Sequence, residues 1–267
     1  MKKIVLALLI FISSSVSAQS ERYNPDGILS YYLTFTLMQR LNEINESWVK
    51  KEKVKESQIV EIESGRVIDD FKYDRNGRLI QSYYGFDINT LANKNLFVSY
   101  NNSGSPDSIT IGTEKKKTTL IIFYTGKYPD YLIINYDSTK HIRYNFEISN
   151  GRIKRLVNEN FKDKELAYEF SYTNEDVKVS LKYGGGNSID KYFVKNLPEE
   201  YSIENDSGDK LVYKIANNEV TKNICFYKGM LISEIEYTID ENGVRGEVFS
   251  RNGVVSKRKY VFKYYDD

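Results

Sequence analysis

Apolar and polar residues alternate along most of this chain. In "VIDDFKYDRNGRLIQSYYG", Val67, Asp69, Phe71 and Tyr73 share one parity, and Ile68, Asp70, Lys72 and Asp74 share the other. Successive strand residues face opposite sides of a sheet, so the pattern reads as a strand. Arg75-Asn76-Gly77 then reverses the chain, because Asn and Gly accept left-handed backbone, and Leu79 to Tyr84 alternate again. The spacing of three and four that marks a helix is missing. The segment is a β-hairpin.

Looser copies follow from Leu96 ("LFVSYNNSGSPDSITIG"), Leu120, Arg143, Ala167, Leu211 and Glu234, and a last strand closes the chain as "KYVFKYYDD". The aligned aromatics Tyr73, Tyr100, Tyr124, Phe146, Tyr172, Tyr213, Tyr237 and Tyr264 recur every 22 to 27 residues, except for one gap of 41. That gap contains Pro198 and a degenerate copy, "IDKYFVKNLPEEYSIEND". Self-similarity at such a period means a repeat architecture. One hairpin is marginal in water, and each unit here supplies an edge to the next. The predicted fold is mainly β, an antiparallel meander of about 16 strands in successive hairpins. It forms a curved open sheet, with a closed barrel or propeller as the alternative. Tyrosines of both parities at Tyr83-Tyr84 and Tyr264-Tyr265 suggest a single layer with no buried side.

Ahead of the repeats the period changes. Leu29, Leu33, Leu37, Leu41, Ile44 and Trp48 lie at helical spacing behind a turn at Asn24-Pro25-Asp26-Gly27. This predicts one N-terminal helix from Leu29 to Lys50, whose apolar stripe covers the first repeats as a cap. Earlier still, Lys2-Lys3, an apolar run from Ile4 to Ile12 and the small residues Val16-Ser17-Ala18 have the order of a secretory leader. The expected division is a signal peptide over 1–18, a helical cap over 19–56 and a hairpin-repeat domain over 57–267. No later stretch reaches the roughly 20 apolar residues of a membrane-spanning helix. The mature chain is therefore expected to be exported, to the periplasm, cell surface or medium, with no transmembrane segment.

Charge and composition narrow the chemistry. Loss of a leader carrying Lys2 and Lys3 takes the formal charge from +1 to −1. That leaves no basic excess for a nucleic-acid surface, and Lys115-Lys116-Lys117 reads as a solvated turn or edge. His141 and Cys225 are the only residues of their kinds. A disulfide, a histidine-based triad and a zinc site are thereby excluded, and Cys225 reads as a buried small side chain. Asp69 and Asp70 face opposite sides of their strand and cannot form one acid/base pair. The turns at Asp74 and Asp240 lack the further oxygens of a calcium loop, leaving "ENDSGD", Glu204 to Asp209, as the most acidic turn. Gly184-Gly185-Gly186 precedes no helix and cradles no phosphate. No catalytic residue, metal or cofactor is expected.

The chain holds 23 Tyr and 13 Phe. Such rings pack across strands, and on an exposed concave face they also stack on a glycan or peptide. Tyr73, Tyr100, Tyr124, Tyr172, Tyr213 and Tyr237 are the candidate ligand or partner face.

"FKYDRNGRLIQ" resembles the YD repeat of the Rhs/YD-repeat class through Tyr73, Asp74, Gly77, Arg78 and Leu79. "FEISNGRIKRL" keeps Phe146, Asn150, Gly151 and Arg152, and "YTIDENGVRGEV" keeps Tyr237, Asn242 and Gly243. The tight motif spans about ten residues, and the looser pattern about 200. The resemblance implies a hairpin-repeat fold, similar to short secreted YD-like proteins of Gram-negative bacteria. The expected function is an exported, non-enzymatic binding or scaffold module, partnered by a protein or glycan at the cell envelope. It would bind through an aromatic sheet face or an edge strand. The alternatives are a carbohydrate-active hydrolase with carboxylates in a sheet groove and, from the company the class keeps, an inhibitor or immunity-type partner of an exported toxin.

Overall fold

The computed structural model describes residues 28–266 apart from 30–31, 34–35, 88–91, 113–116, 138, 161–165, 185, 218, 240–244 and 252. The leader, Lys115-Lys116 and the Asp240 turn lie outside the described residues.

Among the described residues, a helix that follows a short helical lead-in and eighteen strands come in chain order. Helix α1 is Gln39–Lys51, and the strands begin with β1 Val54–Glu61, β2 Val67–Tyr73, β3 Leu79–Asp87, β4 Ala92–Tyr100, β5 Pro106–Gly112 and β6 Lys117–Thr125. Next come β7 Tyr128–Asp137, β8 Lys140–Ser149, β9 Arg152–Asn158, β10 Ala167–Tyr172, β11 Asp176–Lys182 and β12 Ser188–Asn196. The last six are β13 Glu200–Asn205, β14 Lys210–Ala216, β15 Glu219–Tyr227, β16 Met230–Ile239, β17 Arg245–Arg251 and β18 Val254–Tyr264. The degenerate copy around Pro198 is the hairpin β12–β13.

Each strand pairs antiparallel with the next, and β1 pairs with both β2 and β18. The sheet is thus a closed barrel and not the open sheet. Closure comes from β1, which belongs to no hairpin copy: Ser57 sits opposite Phe262 and Ile59 opposite Tyr260. The last strand is not the partner-recruiting edge expected as one of the two binding devices, because β18 is paired with β1 over Arg258–Tyr264, which leaves only Val254–Lys257 beyond that ladder.

The single-layer expectation is also corrected, because the sheet has a buried side. Leu96, Val98, Ile109, Leu120, Ile122, Leu132, Ile134, Leu156, Val179, Val194, Ile203 and Leu211 point inward and are buried. Between them, outward residues carry cross-strand ion pairs, among them Lys178–Asp190, Lys214–Glu200, Lys222–Glu236 and Arg155–Glu169.

The N-terminal segment fills the lumen. The described residues of 28–37 are helical, a turn falls at Met38, and α1 continues to Lys51. Leu29, Leu33, Met38, Leu41 and Val49 are buried. The Tyr32 ring lies 6.2 Å from Phe146 on β8, the Tyr201 hydroxyl on β13 donates to the Leu37 carbonyl, and Trp48 lies 5.7 Å from Phe262 on β18. A segment that touches β8, β13 and β18 of a ring of eighteen must run through its interior. Lys53, with φ +54, ends the helix, and its carbonyl accepts the Tyr265 N–H at 2.8 Å. Helix end and chain end therefore share one rim, which also bears the β2–β3 turn. The opposite rim bears the β1–β2, β15–β16 and β17–β18 turns.

Candidate functional site

The six tyrosines singled out above all have lumenal parity. Tyr73 and Tyr213 are fully buried, Tyr100, Tyr124 and Tyr237 pack against the core, and Tyr172 at the rim is 37% exposed. Three of them act alike. The hydroxyl of Tyr100 donates to the Leu79 carbonyl at 2.9 Å, that of Tyr124 to Pro106 at 2.7 Å, and that of Tyr172 to Ile153 at 3.0 Å. Each acceptor lies at the start of the returning strand of the preceding hairpin, so each hydroxyl ties one hairpin to the last. The Arg78 guanidinium stacks 4.5 Å above the Tyr100 ring, and Arg152 stacks 5.2 Å above Tyr172. The Gly-Arg-apolar letters thus have a physical reason: Gly turns the chain, Arg covers the next ring, and the following carbonyl receives its hydroxyl. Asp74 completes the turn by accepting the N–H groups of Asn76 and Arg78 and pairing with the Arg78 side chain. Burial pushes the Tyr124 hydroxyl up to about 12 and those of Tyr73, Tyr213 and Tyr237 well above their usual range.

Polar residues gather in the lumen beside β1, β2 and β15–β18. Glu247 is buried and accepts Arg258 at 3.1 Å and the Tyr260 hydroxyl at 2.6 Å. Arg245, two residues earlier on the same face, lies 5.0 Å from the Tyr237 ring and 5.1 Å from the Tyr260 ring. Its terminal nitrogens are buried without a hydrogen-bond partner among the described residues, and the Asn223 amide faces the Tyr237 hydroxyl beside them. Ser57 and Tyr73 share a hydroxyl contact at 3.2 Å below them.

Asp69 adds a second carboxyl. Its pKa is raised to about 7, chiefly by burial and secondarily by the Glu247 charge, with Arg258 opposing both. Its strand neighbour Asp70 faces outward, 3.4 Å from the Gln58 amide. The two adjacent aspartates are separated as their parity requires, and the companion of Asp69 comes from β17. No signal in the sequence selects Glu247, because lumenal parity on β17 is known only once the ring has closed. Two carboxyls in unlike environments are able to divide acid and base roles.

The raised Asp69 carries a pH prediction. Between about 4 and 7 the folded protein holds a proton that the unfolded chain has released, so stability falls as pH rises through that window. Glu46, raised to about 7 chiefly by burial near the β2–β3 turn, acts with the same sign. Solvent contact reduces the size, and a loss of about 2 kcal/mol between pH 5 and 8 is expected from urea midpoints. Asp69→Asn together with Glu46→Gln should flatten the profile; an unchanged slope would refute the assignment.

The other candidate chemistries are accounted for. In "ENDSGD", Asn205 accepts the N–H groups of Ser207 and Asp209, Asp206 pairs with Lys191, and Asp209 accepts the Lys228 N–H and the Asn205 amide. These groups build a turn. Among the described residues no three His, Cys, Asp or Glu side chains gather as a metal site. Cys225 is buried as expected, and His141 is exposed at the start of β8.

The outer face of β4–β7 presents a different aromatic surface. Phe97, Thr110, Thr119, Ile121, Phe123, Tyr131 and Ile133 share this side without a charged residue among them. Phe123 and Tyr131 stack at 4.4 Å, and Arg143 lies 3.9 Å above Tyr131 at the border.

No family model and no curated protein matches this chain. Among solved structures, a porin-like protein from Bacteroides uniformis is 14% identical over 79% of this chain and 97% of that one, with a TM-score of 0.36. A porin-like protein from Bacteroides vulgatus is 10% identical over 79% and 98%, with a TM-score of 0.32. A chain in the TcdB2-TccC3-Cdc42 structure is 12% identical over 65% of this chain and 13% of that one, with a TM-score of 0.28. Likenesses of this size say nothing of function, and the reading below rests on the geometry.

Proposed function

We propose that this protein is an exported, non-enzymatic binding or scaffold module of the cell envelope that stands in water as a barrel with a filled lumen. One observation carries the reading: the polarity is the reverse of that of a membrane barrel. Ion pairs such as Lys178–Asp190, Lys214–Glu200 and Lys222–Glu236 cover the middle of the outer wall, and aliphatic residues with a helix occupy the inside. On a lipid-facing wall each such cation costs about 2–4 kcal/mol near the midplane. No helix among the described residues is long and apolar enough to cross a membrane.

The binding surface on this reading is the apolar patch of Phe97, Ile121, Phe123, Tyr131 and Ile133 on the outer face of β4, β6 and β7, where Phe123 and Tyr131 offer a stacked platform to a glycan or protein. The test is fractionation of cells expressing the full chain, followed by a glycan array and pull-down with the mature protein. Release without detergent, and ligand capture that Phe123→Ala abolishes, are expected. Extraction only by detergent would overturn the reading.

A carbohydrate-active hydrolase is the second reading; Asp69 and Glu247 are the carboxyls it would use, and their burial in the filled lumen speaks against access by a glycan. Glycan turnover lost in Asp69→Asn would establish it and end the non-enzymatic one.

A further inference from the structure

The outer wall divides by chemistry. Over β11–β16 its cross-strand neighbours include the ion pairs Lys178–Asp190, Lys214–Glu200 and Lys222–Glu236. Over β3–β7 the corresponding rungs are neutral. One runs through Gln81, Phe97, Thr110, Thr119 and Asn135 on successive strands, and the next through Ser99, Ser108, Ile121 and Ile133. Phe123 and Tyr131 form a third, which Asn145 continues on β8.

The polar groups of these rungs are hydroxyls and amides. Thr110 and Thr119 share a hydroxyl contact at 3.1 Å, and Ser99 and Ser108 share one at 2.7 Å. The Gln81 and Asn135 amides stand at the two ends of their rung. Phe97 is 39% exposed and Phe123 37%, so both rings are open to stacking. Charges adjoin the rungs in both signs. Asp107, Asp130 and Glu159 are set against Lys72, Lys117 and Arg143, and Glu159 already holds Arg143 at 3.0 Å. The face thus has no excess of either sign to attract a charged ligand.

That inventory selects the occupant. Serine and threonine are under-represented at protein-binding hot spots, which centre on Trp, Tyr and Arg. Here Ser108, Thr110 and Thr119 hold the middle of the face. Hydroxyls and amides both donate and accept, as the hydroxyls of a sugar do, and an exposed aromatic ring covers the C–H face of a pyranose. Phe97 and Phe123 lie two strands and four residues apart, about 16 Å on sheet spacings, which is too far for one sugar ring to touch both. We propose that the outer wall of β3–β8 binds an uncharged polysaccharide chain that bridges Phe97 and the Phe123–Tyr131 stack. The inference rests on the reading of this face as the binding surface and narrows it to one class of ligand.

The test is affinity electrophoresis of the mature protein through gels holding neutral polysaccharides (glucans, mannans and galactans) or the anionic alginate. Retardation by a neutral polymer, unmoved by added salt, is expected. Phe97→Ala should weaken it by about tenfold and Asn135→Ala by about threefold, for the loss of a stacked ring and of one hydrogen bond. The free monosaccharide should compete about a hundredfold less well than an oligosaccharide long enough to span both platforms. Phe97 and Asn135 lie on the outer wall, so thermal unfolding should stay unchanged and show that the variants fold. No retardation by any neutral polymer, retardation by alginate alone, or a Phe97→Ala variant that binds like the parent would overturn the proposal. Capture of a protein through Phe123 with no neutral glycan bound would overturn it as well, while leaving the envelope-module reading in place. Failure of that reading shows separately, as extraction only by detergent.

Discussion

Gly77→Ala should lower the unfolding free energy by about 3 kcal/mol or more, the largest effect expected from a single methyl group in this protein. Two causes act together. Gly77 has φ +83, where an L side chain is strained by about 1–2 kcal/mol. An added Cβ would also lie 2.2 Å from the Glu46 carbonyl oxygen and 2.7 Å from the Lys50 N–H nitrogen, both backbone atoms of α1. Neither is a flexible side-chain end that swings aside, so the helix or the turn must move. Gly126→Ala is the control: its φ is +64 and nothing lies within 4 Å, leaving turn strain alone. Urea unfolding of the two variants separates the contributions. Equal losses would show that the β2–β3 turn does not press on the lumenal helix.

Glu247→Ala should have an effect at least as large, about 3–5 kcal/mol. The substitution leaves Arg258 without its 3.1 Å partner and the Tyr260 hydroxyl without its acceptor, next to Arg245. All lie in a lumen where water does not readily replace the lost carboxylate. Glu247→Gln keeps the shape and one acceptor and should cost about half as much. Pairing Glu247→Ala with Arg258→Met tests the mechanism, since removing both charges should restore part of the loss. A double variant as unstable as the sum of the singles would mean that the charges do not interact.

The hairpins were legible because each carries its own instructions. Alternation sets the faces, and the residue before the turn sets the loop: Asp74, Asn101 and Asn205 all accept N–H groups two and four residues on. Even the weak copy around Pro198 emerged as β12–β13. The recurrence of tyrosine was legible as well. Its use was not, because the Leu79 carbonyl that receives Tyr100 is a backbone atom with no letter in the sequence. The buried pair was hidden for a different reason. Asp69 and Glu247 come from β2 and β17, which lie near opposite ends of the chain and become neighbours only across the closing strands β1 and β18.

By itself, then, the sequence determined the local order: alternating strands, Asx turns, a period near two dozen residues and an amphipathic N-terminal helix. These follow from interactions between residues close along the chain. Only the tertiary structure decided that the sheet closes, that β1 without any repeat motif is the closing strand, and that the helix lies inside. Closure pairs residues some 200 positions apart, such as Ser57 with Phe262. Its driving force is the joint burial of one face of all eighteen strands against a single lumenal segment, a sum over the whole ring that no hairpin encodes.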